Sequence, residues 1–528
     1  MKKSLRSLIL LFASAISLAS CGGDDGPIGS EVPSADPEKG TIEIAVTKLG
    51  NGTDWLKALC NAFTKKTGVG FKITELVGQA GIEAIQTEME SLASSTDLFI
   101  TRPKNYFKMV YSGAVNAQGK TYPCALADLT DVYTTPLEGE NGATVLSKMD
   151  AKYSDYFNIE GKYYGLPWES DIMGIVRNLN VWNKLGLTDE DIPNTTDEMF
   201  ALCDKVKAKG TAPFIYSLSD EYYSTIVPIW FAQYEGSASM ANWFNGRDPS
   251  GQETYNIYSY DGMVKSLEIL QTLLDSKKGY QHDSSKTLPF TSMQGYFLRD
   301  QALFCVNGSW LETEMGSNYK GSNIDYIRTP IVSAVSEKLS YYDANNQADN
   351  DKKLSALIDY VDGRVATLPE GTTEEDALIV KDVRESASYI RGGHDHNMLV
   401  PSYSDQIDNV KDFLRFVYSD EGLNIYYKTM DGGTLPATPT AGYSNEGVSI
   451  SQFRENINEI MSEGNVCHYG AGIKAKVFCL GDVNRYYVNG TGNMVHEILE
   501  GKTPEKIIAT NQAYIKQNWN SIRSQYVK

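Results

Sequence analysis

Between Thr41 and Ile100 the chain reads strand, helix, strand, helix, strand, and that order leaves few folds open. Thr41–Thr47 alternates apolar and polar residues, as a strand with one buried face does. Residues 53–67 place Trp55, Leu59, Ala62 and Phe63 at helical spacing, with Thr53 or Asp54 as N-cap and Gly68 and Gly70 as the stop. Phe71–Val77 predicts a second strand, Ile82–Leu92 a helix and Asp97–Ile100 a third strand. Short strands separated by helices build a parallel sheet with helical crossovers. Ligands of such sheets bind beyond the carboxyl ends of the strands.

The segment before Thr41 has a different character. Lys2, Lys3 and Arg6 precede an apolar run from Leu8 to Leu18, followed by Leu18-Ala19-Ser20-Cys21. This is the pattern of a secretory signal, and the run is shorter than the ~20 residues a membrane-spanning helix needs. Leu-Ala-Ser-Cys resembles the bacterial lipobox, which implies cleavage before Cys21 and acylation of its thiol. Residues 22–40 are rich in Gly, Pro, Ser, Asp and Glu and read as a tether. Loss of Lys2, Lys3 and Arg6 takes three of 48 basic residues, leaving 45 against 67 acidic ones, a net charge of about −22. That balance argues against a nucleic-acid partner and against a strongly anionic ligand.

The remaining ~490 residues exceed one ordinary core and predict two lobes. Helical patterns cover Thr196–Lys209 and Gly262–Asp275, on either side of the apolar, aromatic run Pro213–Phe231. Gln301–Asn307 and Asn397–Pro401 read as strands, and Asp405–Val417 as a helix. A charged, mostly helical insertion spans 338–390. Of seven cysteines, Cys60, Cys203 and Cys305 fall in apolar patterns and are expected buried and reduced; Cys467 and Cys479 are the best candidates for a disulfide, with connectivity open.

Six segments, in order along the chain, carry a family resemblance. They are Gly161–Pro167 with the following Ile172–Asn178, Asp197–Phe214, Tyr296–Trp310, Asn397–Pro401 leading into Lys411–Gly422, Gly432–Pro436, and Ile498–Lys506. The set resembles the bacterial extracellular solute-binding proteins that serve ABC-type sugar importers. The resemblance implies an α/β, two-lobe periplasmic-binding-protein-like fold of type II, with a hinge between the lobes and the ligand in the cleft. The implied division is a signal peptide at 1–20, a tether at 21–40, the first lobe at 41–165 and the second at 166–325. A return to the first lobe follows at 326–430, including the insertion, and then the C-terminal part of the second lobe at 431–528. The implied partners are a carbohydrate, the importer's permease subunits and, through Cys21, a membrane, with the protein acting extracytoplasmically as a monomer.

Tyrosine is abundant (33 residues) and seven tryptophans are present, which suits a saccharide: rings cover its C–H faces while carboxylates and amides bond its hydroxyl rim. Any single ring serves packing more often than binding. The resemblance places Trp310, after Asn307-Gly308-Ser309, and Tyr222 at stacking positions. It places Asp171 where a carboxylate bonds sugar hydroxyls, with Trp168 and Glu169 as neighbours. Tyr486 or Tyr487 falls near a further stacking ring. Arg102 and Lys104 depart from the acidic residue of maltose-specific relatives. Gly432 and Gly433 permit close backbone approach, or an ordinary turn before Pro436. His394-x-His396 reads as a polar loop rather than a metal site, and no cofactor is called for. No Gly-x-Ser-x-Gly, His-Glu-x-x-His or phosphate-loop motif is present. A lipid-anchored glycan-active enzyme and a non-transporting saccharide sensor or adhesin are the alternatives to a transport binder.

Overall fold

The computed structural model describes residues 33–524, except for 93, 104–105, 112–113, 116–118, 150–152, 154–156, 219–222, 317–318, 320, 387, 393–395, 431–434, 437–449, 464–465 and 469–493. The signal, Cys21, Lys104, Tyr222, His394, Gly432, Gly433, Cys479, Tyr486 and Tyr487 lie outside the described residues.

The opening alternation folds as the sequence predicts. Strand Thr41–Lys48 pairs in parallel with Gly70–Val77 on one side and Leu98–Thr101 on the other. Helices Asp54–Thr67 and Gly78–Ser91 are the crossovers. Asp54–Thr67 buries Trp55, Leu56, Leu59, Cys60 and Phe63 along one face, the stripe that drives its docking. It ends at Gly68, whose φ of 84° is left-handed and whose N–H returns to Thr64 O. Thr53 stands at the N-cap, one of the two expected positions, but its hydroxyl donates to Glu75 Oε1 at 2.7 Å and makes no capping bond. A fourth strand, Asn397–Leu399, joins antiparallel to Leu98–Thr101 and completes the first sheet.

The second sheet is organised by one long strand, Glu169–Asn178. Along its length it pairs antiparallel with Leu435–Pro436, Tyr389–Gly392, Ala302–Gly308 and Ile324–Ile327. Ala212–Ile215 and Val466–His468 extend the sheet in parallel with Ala302–Gly308 and Tyr389–Gly392 respectively. Every residue of Ala302–Gly308 is buried, which explains its continuous apolar reading in the sequence. Cys60, Cys124, Cys203 and Cys305 are buried thiols without disulfide partners. No helix among the described residues is long and apolar enough to cross a membrane.

The insertion requires a correction to the expected division. Its two helices, Gln347–Val361 and Glu374–Ser386, pack on each other, and the latter packs on Tyr223–Glu235 of the second lobe. Because Ile324–Ile327 and Tyr389–Gly392 both pair with Glu169–Asn178, the chain stays on the second sheet through 392. It rejoins the first lobe at Asn397, not at 326. The insertion is tied down by charge. Asp362 takes two bonds from Arg384 (3.0 and 2.8 Å), and Arg328 and Arg364 lie 3.1 and 3.0 Å away.

Where the insertion meets the second lobe, burial pushes the Asp351 carboxyl up to about 6, with Asp197 and Glu198 adding repulsion, against hydrogen bonds from Ser333 and Thr195. A carboxyl raised in the folded state makes the fold bind the proton more tightly than the unfolded chain does. It therefore costs stability above about pH 6, and the cost fades as pH falls toward 4. Asp351→Asn is expected to raise unfolding free energy at pH 7.5 by about 1 kcal/mol relative to its effect at pH 4.5. Urea midpoints at the two pH values check this, and equal effects at both would refute it.

Candidate functional site

The three parallel strands of the first sheet end on one edge, and the loop after the first of them, Leu49-Gly50-Asn51, reaches the second lobe there. Asn51 Nδ2 lies 3.2 Å from Asp171 Oδ1 and 3.3 Å from Glu169 Oε2, so a single amide bridges two buried carboxylates. Asp171 also accepts from Ser309 Oγ at 2.9 Å, while Ser309 N–H donates to Ile172 O at 2.9 Å. Ser309 thus fixes the end of Ala302–Gly308 against the long strand and aims its hydroxyl at the carboxylate.

Trp310 follows directly and is partly buried. Its indole lies over Gly308, where an added Cβ would come within 2.3 Å of the ring. Gly50 approaches it from the first lobe, where a Cβ would meet Cδ1 at 2.8 Å. The absence of a side chain at both positions is what lets the ring sit between the lobes. Asp171 and Trp310, proposed from different stretches of sequence, therefore meet the same first-lobe loop.

Other expected residues stand elsewhere. Trp168 is fully buried, its ring packed against Trp55, Tyr418 and Tyr426 with centroids 4.7–5.5 Å apart, so it is a core residue with no face for a ligand. Glu169 is 1% exposed and turns toward the first lobe, where His396 Nδ1 lies 2.6 Å from Oε2 and Tyr426 hydroxyl donates to Oε1 at 3.3 Å. Both side chains beside Pro167 point into the first-lobe core. Arg102 is exposed just beyond Leu98–Thr101, on the strand-end edge shared with Asn51. His396, weighed in the sequence only as a possible metal ligand, is fully buried with Nε2 2.7 Å from Thr47 O.

Asn51, Ser309 and Tyr426 were not singled out from the sequence. For Asn51 a signal was present: Gly50-Asn51-Gly52 lies at the carboxyl end of a half-buried parallel strand, where binding loops gather.

Residues 58–449 match the family model described as bacterial extracellular solute-binding protein. The chain belongs to that family. Among curated proteins, the multiple sugar-binding protein of Streptococcus mutans is 26% identical over 176 residues, covering 32% of this chain and 39% of that protein. The diacetylchitobiose binding protein DasA of Streptomyces coelicolor is 26% identical over 223 residues, covering 42% and 47%. The chain thus matches less than half the length of each of these two relatives. Solved structures give the fold over a longer span. A chitin oligosaccharide binding protein superposes with a TM-score of 0.58 at 16% identity, over 90% of this chain and 98% of that one. The binding protein RafE in complex with raffinose gives 0.56 at 16%, over 90% and 99%. The two-lobe solute-binding fold of type II is therefore the architecture of this chain, and its family is one of binding proteins rather than enzymes.

Proposed function

We propose that this family member captures a carbohydrate, an uncharged oligosaccharide, between its lobes and delivers it to an ABC-type importer. The observation that carries this reading is the meeting of Trp310, Asp171 and the Gly50-Asn51 loop at the strand-end edge of the first sheet. An aromatic face beside a carboxylate and an amide matches a sugar's apolar face and hydroxyl rim. The names of the relatives, which bind diacetylchitobiose, raffinose or several sugars, support the same ligand class. Closure of the lobes over such a ligand stabilises the closed state only through contacts that are better made there. Within this reading Arg102, Lys104, Tyr222, Gly432, Gly433, Tyr486 and Tyr487 are further candidate contacts around the cleft.

A thermal-shift series with raffinose, chito-oligosaccharides and malto-oligosaccharides tests the proposal. A sugar held at one hundred times its Kd adds about 2.7 kcal/mol to the native state and raises Tm. No shift with any of the three classes would count against carbohydrate capture. Cys21 is proposed as the lipid-anchored residue and the body as a monomer held outside the membrane. Cys21→Ser is expected to move the protein from the membrane fraction to the soluble one, read by fractionation and blotting, with retention in the membrane refuting the anchor.

A further inference from the structure

Glu169 opens the strand by which the chain enters the second lobe, and His396 stands one residue before Asn397–Leu399, the strand by which it re-enters the first. Their side chains meet with none of their surface exposed, His396 Nδ1 lying 2.6 Å from Glu169 Oε2. The other ring nitrogen, Nε2, is 2.7 Å from Thr47 O. A backbone carbonyl only accepts, so Nε2 carries a proton. A neutral imidazole has one N–H, already used there, and a bare Nδ1 lone pair 2.6 Å from a carboxylate oxygen would be repelled, so the pair carries one further proton. The remaining partners of Glu169 are donors too: Tyr426 hydroxyl on Oε1 at 3.3 Å and Asn51 Nδ2 on Oε2 at 3.3 Å. An ionised carboxylate accepts from both, and those two donors together with the greater basicity of an imidazole (~6.5 against ~4.3 for a free carboxyl) put the further proton on the ring rather than on Oε2. A carboxylate this deep needs a countercharge, and the imidazolium supplies it.

We infer that His396 is a positioning residue, doubly protonated in the folded protein, that clamps the outgoing and returning crossings together and holds Glu169 as the anionic anchor for Asn51. Through Asn51 the same clamp bears on Asp171 at the lobe junction. Among the described residues, the titratable groups around it are Asp171 on the same strand, Tyr426 from Asp420–Thr429, Tyr418, whose hydroxyl donates to Pro167 O, and Tyr326, which faces Asp171. Thr47, Trp55 and Trp168 close the site without adding charge.

The inference can be tested without any ligand, so its fate is separate from that of the carbohydrate reading. Nitrogen-15 spectra of the five histidines, assigned with His396→Gln, report ring protonation directly. Both His396 nitrogens are expected to carry protons at pH 8, above the ~6.5 at which free histidine titrates. A neutral ring titrating with the other histidines, or a neutral ring at every pH, would overturn the assignment. Folding should then take up a proton above ~6.5, because the unfolded chain has lost one that the folded protein keeps. The stability this lends is full below ~6.5 and declines as pH rises, by up to tenfold in the folding constant per pH unit. In Glu169→Gln the carboxamide can donate to a neutral Nδ1, so the pocket remains satisfied while the extra proton is no longer needed. This part of the pH dependence is expected to vanish in that variant, and a slope identical to that of the wild type would refute the clamp.

Discussion

Replacing Trp310 with alanine is expected to weaken oligosaccharide binding by about 2 kcal/mol, roughly thirtyfold in Kd, measured by calorimetry with the sugar that gives the largest thermal shift. The indole is held flat over Gly308 by the chain's own geometry and faces Gly50 across the lobe junction. Little rotamer freedom is left to lose on binding, so most of a stacking contact should appear as affinity. The ring is only partly buried, so its removal should leave the fold and its cooperative unfolding largely intact. Unchanged affinity would remove Trp310 from the site. Gly50→Val is the complementary test: a side chain there cannot coexist with the ring in its present place and should hold the lobes apart, seen as a larger radius in small-angle scattering.

Asp362→Ala is expected to lower the unfolding free energy by about 3 kcal/mol, read from urea titrations. Burial pushes this carboxyl up, but Arg384, Arg328 and Arg364 together outweigh that and hold it below its usual value. Arg384 is itself 6% exposed and donates both of its bidentate bonds to Asp362. Removing the aspartate leaves a buried guanidinium without its countercharge, which costs more than the ion pair contributed. Arg364→Ala, on the exposed rim of the same cluster, should cost far less. Equal losses for the two variants would show that the cluster acts as a surface network and not as a buried clasp.

How much of this was legible beforehand depended on whether a signal was local. The helix Asp54–Thr67 and the strands on either side of it are written in period and punctuation, so both their type and their bounds were readable. For Glu169–Asn178 only the apolar Ile172–Val176 stood out, and its four antiparallel partners were not readable, because their pairing joins residues far apart in sequence. The same limit misplaced the insertion: its helical pattern was plain, while its attachment, through Arg328 on Asp362 and through Glu374–Ser386 packed on Tyr223–Glu235, is a tertiary fact. Asp171 and Trp310, the two residues on which the proposed site rests, came from resemblance. That Trp168 and Glu169 turn into the first-lobe core was not readable, because adjacency along a strand says nothing of which lobe a side chain enters. Alternation sends Asp171 and Glu169 to one face of the strand, yet Glu169 lies where that face is already roofed by Tyr426 and His396.

The central place of Glu169–Asn178 also has a consequence in time. Its partners begin at residues 302, 324, 389 and 435, so the strand emerges from the ribosome well before anything it can pair with. Loops of that length close slowly, and a sheet built from them accumulates late. The first three strands, by contrast, are complete by residue 101. A chain arranged in this way is expected to remain largely unfolded in its larger lobe until synthesis is nearly finished, which keeps it threadable for export through a narrow pore.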